Sequence, residues 1–412
     1  MPKRITDVIF LLLAAALLLP ACGRSTMPEG SEAPPPGEPA TLPPAYTPMP
    51  SPTAGALPSA APVSEAPDTS APTATPAPLP TSAPTPAPSP AATPAPVPTP
   101  APTPKPADPA DLLRGIRTAA LSEDRTRFSL AIAKDGIMLT DEELEAVQAL
   151  RDIPQLKSVA LGITNIQDIS FLSELTNLEW LEIRFPVSDI NPLKKLTKLT
   201  HLDLEKCQVN DISLLEALTQ LRTLRIRGEH ISSVSALKNL IHLEELSLGS
   251  REWLPPSPIS DIDALQSLTN LTSLSVVYCR ISDIRALSAL PKLTALSLGG
   301  NAISDISALY GLTNLVSLQL RENHISDISG IETLSHLEYL TLGRNQVRDI
   351  RPIAELLSLE RVSLDHNQIE DIAPLMNMKQ LTFINLVGNP LTEEQERELQ
   401  SALPECVIWR NF

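Results

Sequence analysis

Aromatic residues make up only 3% of this 412-residue chain, and its four cysteines and six histidines are thinly spread. Basic residues are outnumbered by acidic ones, 32 to 48, leaving a net charge of −16. No apolar run reaches the roughly 18 residues that a membrane-spanning helix needs. Each shortage excludes something. Four cysteines without paired spacing do not make a disulfide framework. The histidines (His201, His230, His242, His324, His336 and His366) show no metal-ligand spacing. Too few Lys and Arg residues are present to form the basic stripe of a general nucleic-acid binder, and charge would not hold the chain on anionic lipid. No phosphate loop, nucleophile elbow or Ser/His/Asp set can be placed, so neither an enzyme nor a cofactor is expected.

What is present divides into two materials joined end to end. Of the 42 prolines, 29 lie between Met27 and Pro109. Beyond residue 110 there are 41 acidic and 28 basic residues, a net charge of −13. The chain begins with Lys3 and Arg4, then 14 apolar or small residues from Val8 to Ala21. That pattern reads as a signal peptide over residues 1–21. It ends in Leu19-Pro20-Ala21-Cys22-Gly23, which resembles the bacterial lipobox. The resemblance implies lipidation at Cys22 and a diacylglycerol plus an N-acyl chain as membrane anchor, facing the extracytoplasmic side. Two lipid attachments hold far better than one acyl chain. The alternative is an ordinary secretory signal cleaved nearby. Residues 22–108 are mostly Pro, Ala, Thr and Ser, as in Thr81-Ser82-Ala83-Pro84-Thr85-Pro86. So little that is large and apolar cannot form a core. The reading is a disordered stalk, about 85 residues that would reach roughly 260 Å if wholly polyproline; a leftover of no tuned length is the other reading.

From Leu156 to Asn389 one phrase recurs about eleven times at a period near 22 residues. Its clearest copy is Leu293, Leu296, Leu298, Asn301, Ile303, Asp305, Ile306, Leu309 and Leu312. Such a period marks a solenoid, and this spacing is that of the leucine-rich repeat. L-x-x-L-x-L alternates with period two and predicts a short strand. I-x-D-I-x-x-L-x-x-L steps by threes and predicts a 3₁₀ or single helical turn. One copy buries too little to offset the ordering of its backbone, so copies must stack and the ends must be capped. The expected fold is an α/β solenoid, a horseshoe with a parallel concave sheet. Residues 109–155 are the expected N-terminal cap, with helices over Asp111–Leu121 and Asp141–Leu150 and a strand over Arg127–Ala133. Residues 390–412 form the other cap, with a helix over Thr392–Leu403 and with Val407, Ile408, Trp409 and Phe412 closing the last copy.

The recurring polar residues have structural roles. Asn301, Asn323, Asn345, Asn367 and Asn389 are placed to form a ladder with their own turn and the next copy. Asp168, Asp189, Asp211, Asp261, Asp283, Asp305, Asp327, Asp349 and Asp371 are placed to cap the following turn, a better account of them than calcium binding. Cys207 and Cys279 take the Asn place three copies apart, roughly 15 Å and beyond disulfide reach. They and Cys406 read as small buried residues.

The L-T-N-L and S-D-I-S-A-L phrases, as in Leu268-Thr269-Asn270-Leu271 and Ser304-Asp305-Ile306-Ser307-Ala308-Leu309, resemble the internalin type of bacterial leucine-rich repeat. The resemblance spans about 155–392 and implies a curved solenoid whose concave side binds proteins. The sequence has no C-terminal sorting signal or immunoglobulin-like segment, so host-cell invasion is not expected.

If the strands line the concave side, the third, fifth and seventh places of each copy face outward. The third-place column contains Trp180, Tyr339, Arg361 and Phe383, with Arg361 expected to stack between two rings. Exposed aromatic and Arg side chains dominate binding hot spots; alternatively, the ladder stabilises its own sheet. Arg321 and Tyr278 are further candidates. Arg184 belongs to a mixed patch with Glu182, Asp203, Glu205, Arg225 and Arg227, where self-pairing competes with ligand contact. Two copies break the period: the second with Phe185-Pro186, the fifth with a six-residue insertion holding Trp253. The loop either offers Trp253 to a partner or folds back on its own coil. These observations together predict a monomeric, membrane-anchored protein that binds a protein or glycan outside the cytoplasm; an envelope spacer without a ligand is the alternative.

Overall fold

Alternation along L-x-x-L-x-L sends every second side chain into the interior. Leu296 and Leu298 are buried, and so is Ile303 after the turn. The computed structural model describes residues 108–411, apart from 117–118, 131–137, 163–164, 205–206, 228–229, 251 and 253. The signal segment, Cys22, the stalk up to residue 107, Trp253, Glu205 and Phe412 therefore lie outside the described residues.

A single 14-stranded sheet runs through the array in chain order. Its strands are β1 (Ala119–Leu121), β2 (Arg127–Leu130), β3 (Ser158–Leu161), β4 (Trp180–Ile183), β5 (His201–Leu204), β6 (Thr223–Ile226) and β7 (Glu245–Gly249). They continue with β8 (Ser273–Val277), β9 (Ala295–Ser297), β10 (Ser317–Gln319), β11 (Tyr339–Thr341), β12 (Arg361–Ser363), β13 (Phe383–Asn385) and β14 (Val407–Trp409). β1 and β2 are antiparallel, and from β2 onward each neighbour is parallel. Register follows the repeat: Ser317 faces Tyr339, 22 residues on. The short copy and the long copy keep register as well, with Trp180 facing His201 and Glu245 facing Ser273. Departures from the period are absorbed in the turns, because a slip of one residue would turn every buried side chain outward.

Opposite the sheet every copy but the last carries a 3₁₀ turn, such as Arg285–Ala289; the last runs into the helix Glu393–Ala402. The aspartate before it does what its position predicts: Asp305 Oδ1 accepts from Ser307 N at 2.8 Å, and Asp211 Oδ1 from Ser213 N at 2.8 Å. The asparagine ladder also forms, but with the preceding copy instead of the next. Asn323 Nδ2 donates to Leu298 O and to Leu320 O, each at 3.0 Å, while its Oδ1 accepts from Ile303 N at 3.0 Å. Cys207 and Cys279 are buried free thiols, as is Cys406.

The N-terminal cap differs from expectation. The helix α1 spans Pro109–Arg114, with Asp108 as its N-cap, and ends at Gly115. Ala119–Leu121, expected within it, forms β1, because pairing Ala119 with Leu130 covers the edge of the cap strand β2. Helix α2 (Asp141–Gln148) has the expected Thr140/Glu143 capping box, and its last turn tightens into 3₁₀ geometry over Ala149–Asp152. At the far end α3 (Glu393–Ala402) starts from a Thr392/Gln395 capping box. Among the described residues no helix is long and apolar enough to cross a membrane.

Candidate functional site

The outward side chains of the sheet fall into two regions of different character. On β4 to β7 the charges are largely paired with each other. Arg184 meets Glu182, Arg225 Nη2 lies 3.1 Å from Glu245 Oε2, and Asp203 and Arg227 also have partners. Trp180 is half-buried beside them. Phe185 must be withdrawn as a contact residue, because it is fully buried. Its copy is one residue short, so Phe185 takes the inward place that Asn fills elsewhere. The Cys207 thiol donates to its carbonyl at 3.7 Å.

On β11 to β14 the third-place column becomes a stack. Tyr339 faces Arg361, and Arg361 faces Phe383, as Cα partners on three neighbouring strands. The Arg361 guanidinium carbon lies 4.9 Å from the Phe383 ring centre. The expected two-sided sandwich is one-sided among the described residues. On its other flank Phe383 meets Trp409, with ring centres 5.2 Å apart and planes at 78°. Sequence reasoning placed Trp409 only in the cap; β14 makes it part of the same face, and nothing in the repeat phrase marks it. All four side chains remain partly exposed. Arg361 Nε is buried without a hydrogen-bond partner, and among the described residues no carboxylate lies within ion-pair distance of this guanidinium. Burial, then the neighbouring Glu360 and Glu338, push the Tyr339 phenol up.

A second feature runs along the seventh place. Arg321 Nη1 lies 2.7 Å from Asp365 Oδ2, although these residues are two copies apart. The intervening copy contributes Gly343, just past its strand, where a Cβ would stand 2.2 Å from Asp365 Oδ1 and 2.7 Å from Arg321 Nη1. Asp365 is buried and also accepts from Ser363 Oγ at 2.8 Å. The bridge therefore needs glycine beneath it. Arg321, a contact candidate from its place in the repeat, is committed to this internal tie. Tyr278 sits at φ +49° with its ring over Gly300, and its phenol is pushed up by burial first and then by Glu322 and Glu252.

Burial raises the Cys207 and Cys279 thiols to about 12 and Cys406 to about 11. No group of three His, Cys, Asp or Glu side chains among the described residues is placed to hold a metal. A recess of about 410 Å³ on the turn side is lined by Arg348, Asp349, Arg351, Gln368, Glu370 and Asp371, but its Arg351 is already paired with Asp349.

Three leucine-rich-repeat family models match parts of the chain: a leucine rich repeat over residues 269–325, a two-copy leucine rich repeat over 313–355, and a third over 195–215. No sequence match is found among curated proteins. Among solved structures, an internalin (inlF) from Listeria monocytogenes is 29% identical, with 74% of this chain and 88% of that one covered and a TM-score of 0.59. The functional domain of InlJ from the same organism is 17% identical over 64% of this chain and 54% of that one, TM-score 0.51. The ectodomain of a plant receptor kinase from Arabidopsis thaliana, solved with CASPARIAN STRIP INTEGRITY FACTOR 2, is 18% identical over 64% and 36%, TM-score 0.51. The last two show the fold alone. In its repeat fold the chain is internalin-like.

Proposed function

We propose that this chain is a membrane-anchored protein that binds a protein partner on the concave sheet, at the patch formed by Tyr339, Arg361, Phe383 and Trp409. The observation that carries the reading is Arg361: a guanidinium stacked on a ring, without a carboxylate among the described residues. Partly exposed rings and an arginine without a carboxylate partner are the residue types on which binding energy concentrates. The leucine-rich repeat fold, with its likeness to an internalin, supports a protein-binding role. The partner lies outside the cytoplasm, and the anchor is a lipid on Cys22. Purified protein used to capture partners from envelope extract tests the reading. Arg361→Ala and Tyr339→Ala should each lower capture; unchanged capture in both removes this column as the site. For the anchor, Cys22→Ser should move the protein from the membrane to the soluble fraction. A second reading, an envelope spacer, is favoured by the paired charges on β4 to β7. It requires that changes to the concave face leave the cell's phenotype intact while shortening the stalk does not.

A further inference from the structure

Four outward arginines, on or just past the strands, are treated differently by their surroundings. Arg184 has Glu182, Arg225 has Glu245 and Arg321 has Asp365, whereas Arg361 has the face of Phe383. A guanidinium lying on a ring keeps its edge donors for another acceptor. Carboxylates do stand nearby, but at the rim: Glu338 and Glu360 precede β11 and β12, and burial followed by Glu360 raises the Glu338 carboxyl. The rim already carries crowded negative charge, so an incoming acid is favoured at Arg361 and disfavoured beside it.

Spacing selects the backbone of the incoming chain. Tyr339 and Phe383 stand two strands apart, which places their rings about 9–10 Å from each other along the array. A polyproline II helix repeats its face every three residues, about 9.3 Å. An extended strand repeats its face every ~6.7 Å, which falls between one strand spacing and two. The polyproline backbone also has no internal hydrogen bonds and can cross a sheet without competing for its edge. On the approach side Ser317 and Ala295 are small, and at the far side Trp409 braces Phe383.

We propose that Tyr339, Arg361, Phe383 and Trp409 bind a proline-rich segment of a protein partner in polyproline II form. Prolines three residues apart lie on the Tyr339 and Phe383 rings, and an acidic residue between them meets Arg361. This rests on the concave-face reading and gives its partner a chemistry.

Fluorescence polarisation on the purified full-length protein tests it, with four labelled probes: (Pro-Pro-Glu)4, (Pro-Pro-Gln)4, (Gly-Ser-Glu)4 and a helical alanine-based peptide of equal negative charge. The first should bind at least about tenfold more tightly than each of the others. Arg361→Gln should cost about tenfold with (Pro-Pro-Glu)4 and leave (Pro-Pro-Gln)4 unchanged, while Phe383→Ala weakens both. Arg225→Gln, on the distant paired patch, should change neither. Equal binding of the Gly-Ser or helical probe overturns the proposal, as does an Arg361→Gln protein that still binds (Pro-Pro-Glu)4 fully. If no probe binds while partner capture from extract still depends on Arg361, the polyproline proposal falls and the concave-face reading stands. If capture does not depend on Arg361 either, both fall.

Discussion

Asn323 and Asp305 are both short polar residues in turns, yet they stabilise the array by different means. Asn323 is buried and satisfies two carbonyls and one N–H that have no water to turn to. Asn323→Ala should therefore cost about 3 kcal/mol, since several buried backbone groups lose their partner at once. Urea unfolding checks this, and a loss below about 1 kcal/mol would show that the ladder is ornamental. Asp305 and its relatives are exposed and act through charge. The Arg285 and Arg351 guanidiniums, followed by the backbone N–H groups of the same residues, hold the Asp283 and Asp349 carboxyls down at about 2. Unfolded, each titrates near 3.8. A folded-state pKa below the unfolded one gives stability that is complete above the unfolded value and is lost as pH falls through the folded value. The melting temperature should thus be flat from roughly pH 7 to 5 and fall between roughly pH 4 and 2. A melting temperature that rises on acidification in that window would contradict the capping role. The leucines and isoleucines of the spine, these aspartates and the asparagines were legible in the sequence, because each has one place in a fixed period. Phe185 was not: a one-residue deletion changed its place from outward to inward, and sequence alone does not say where the missing residue was removed.

Between elements, what matters is how side chains reach across strands, and the period says little about that. The tie from Arg321 to Asp365 passes over the turn after β11, where Gly343 leaves the space for it. Gly343 looks in the sequence like one more variable residue. Gly343→Val should separate the pair, leave a buried carboxylate without its cation and cost about 2–4 kcal/mol. Gly299→Val, at the same place one copy before Arg321, has no bridge above it and should cost less. Equal losses in the two would mean that glycine is needed for its backbone alone. The caps were legible as apolar and helical segments, but β1 and β14 were not. Each is three residues long, and its identity as a strand comes from the neighbour it pairs with, Ala119 to Leu130 and Ile408 to Ile384. Removing residues 403–412 should uncover β13 and lower the melting temperature by several degrees.

At the scale of the whole molecule, a repeat array lets one stretch carry the fold while another stretch carries contact. Each coil needs only its neighbours, so outward positions are free to differ from copy to copy without loss of the spine. β4 to β7 use that freedom for internal ion pairs, and β11 to β14 use it for rings around an arginine without an acidic partner among the described residues. That division was half visible beforehand: the residues Tyr339, Arg361 and Phe383 lined up from spacing alone, whereas Trp409 joined them only through the fold. The account predicts that the two patches respond differently to the same kind of substitution. The most direct measurement is the affinity of the captured partner for three purified proteins: the unaltered chain, Arg361→Gln and Arg225→Gln. Arg361→Gln should weaken binding at least about tenfold, and Arg225→Gln should stay within about twofold. Equal affinities for all three would contradict it.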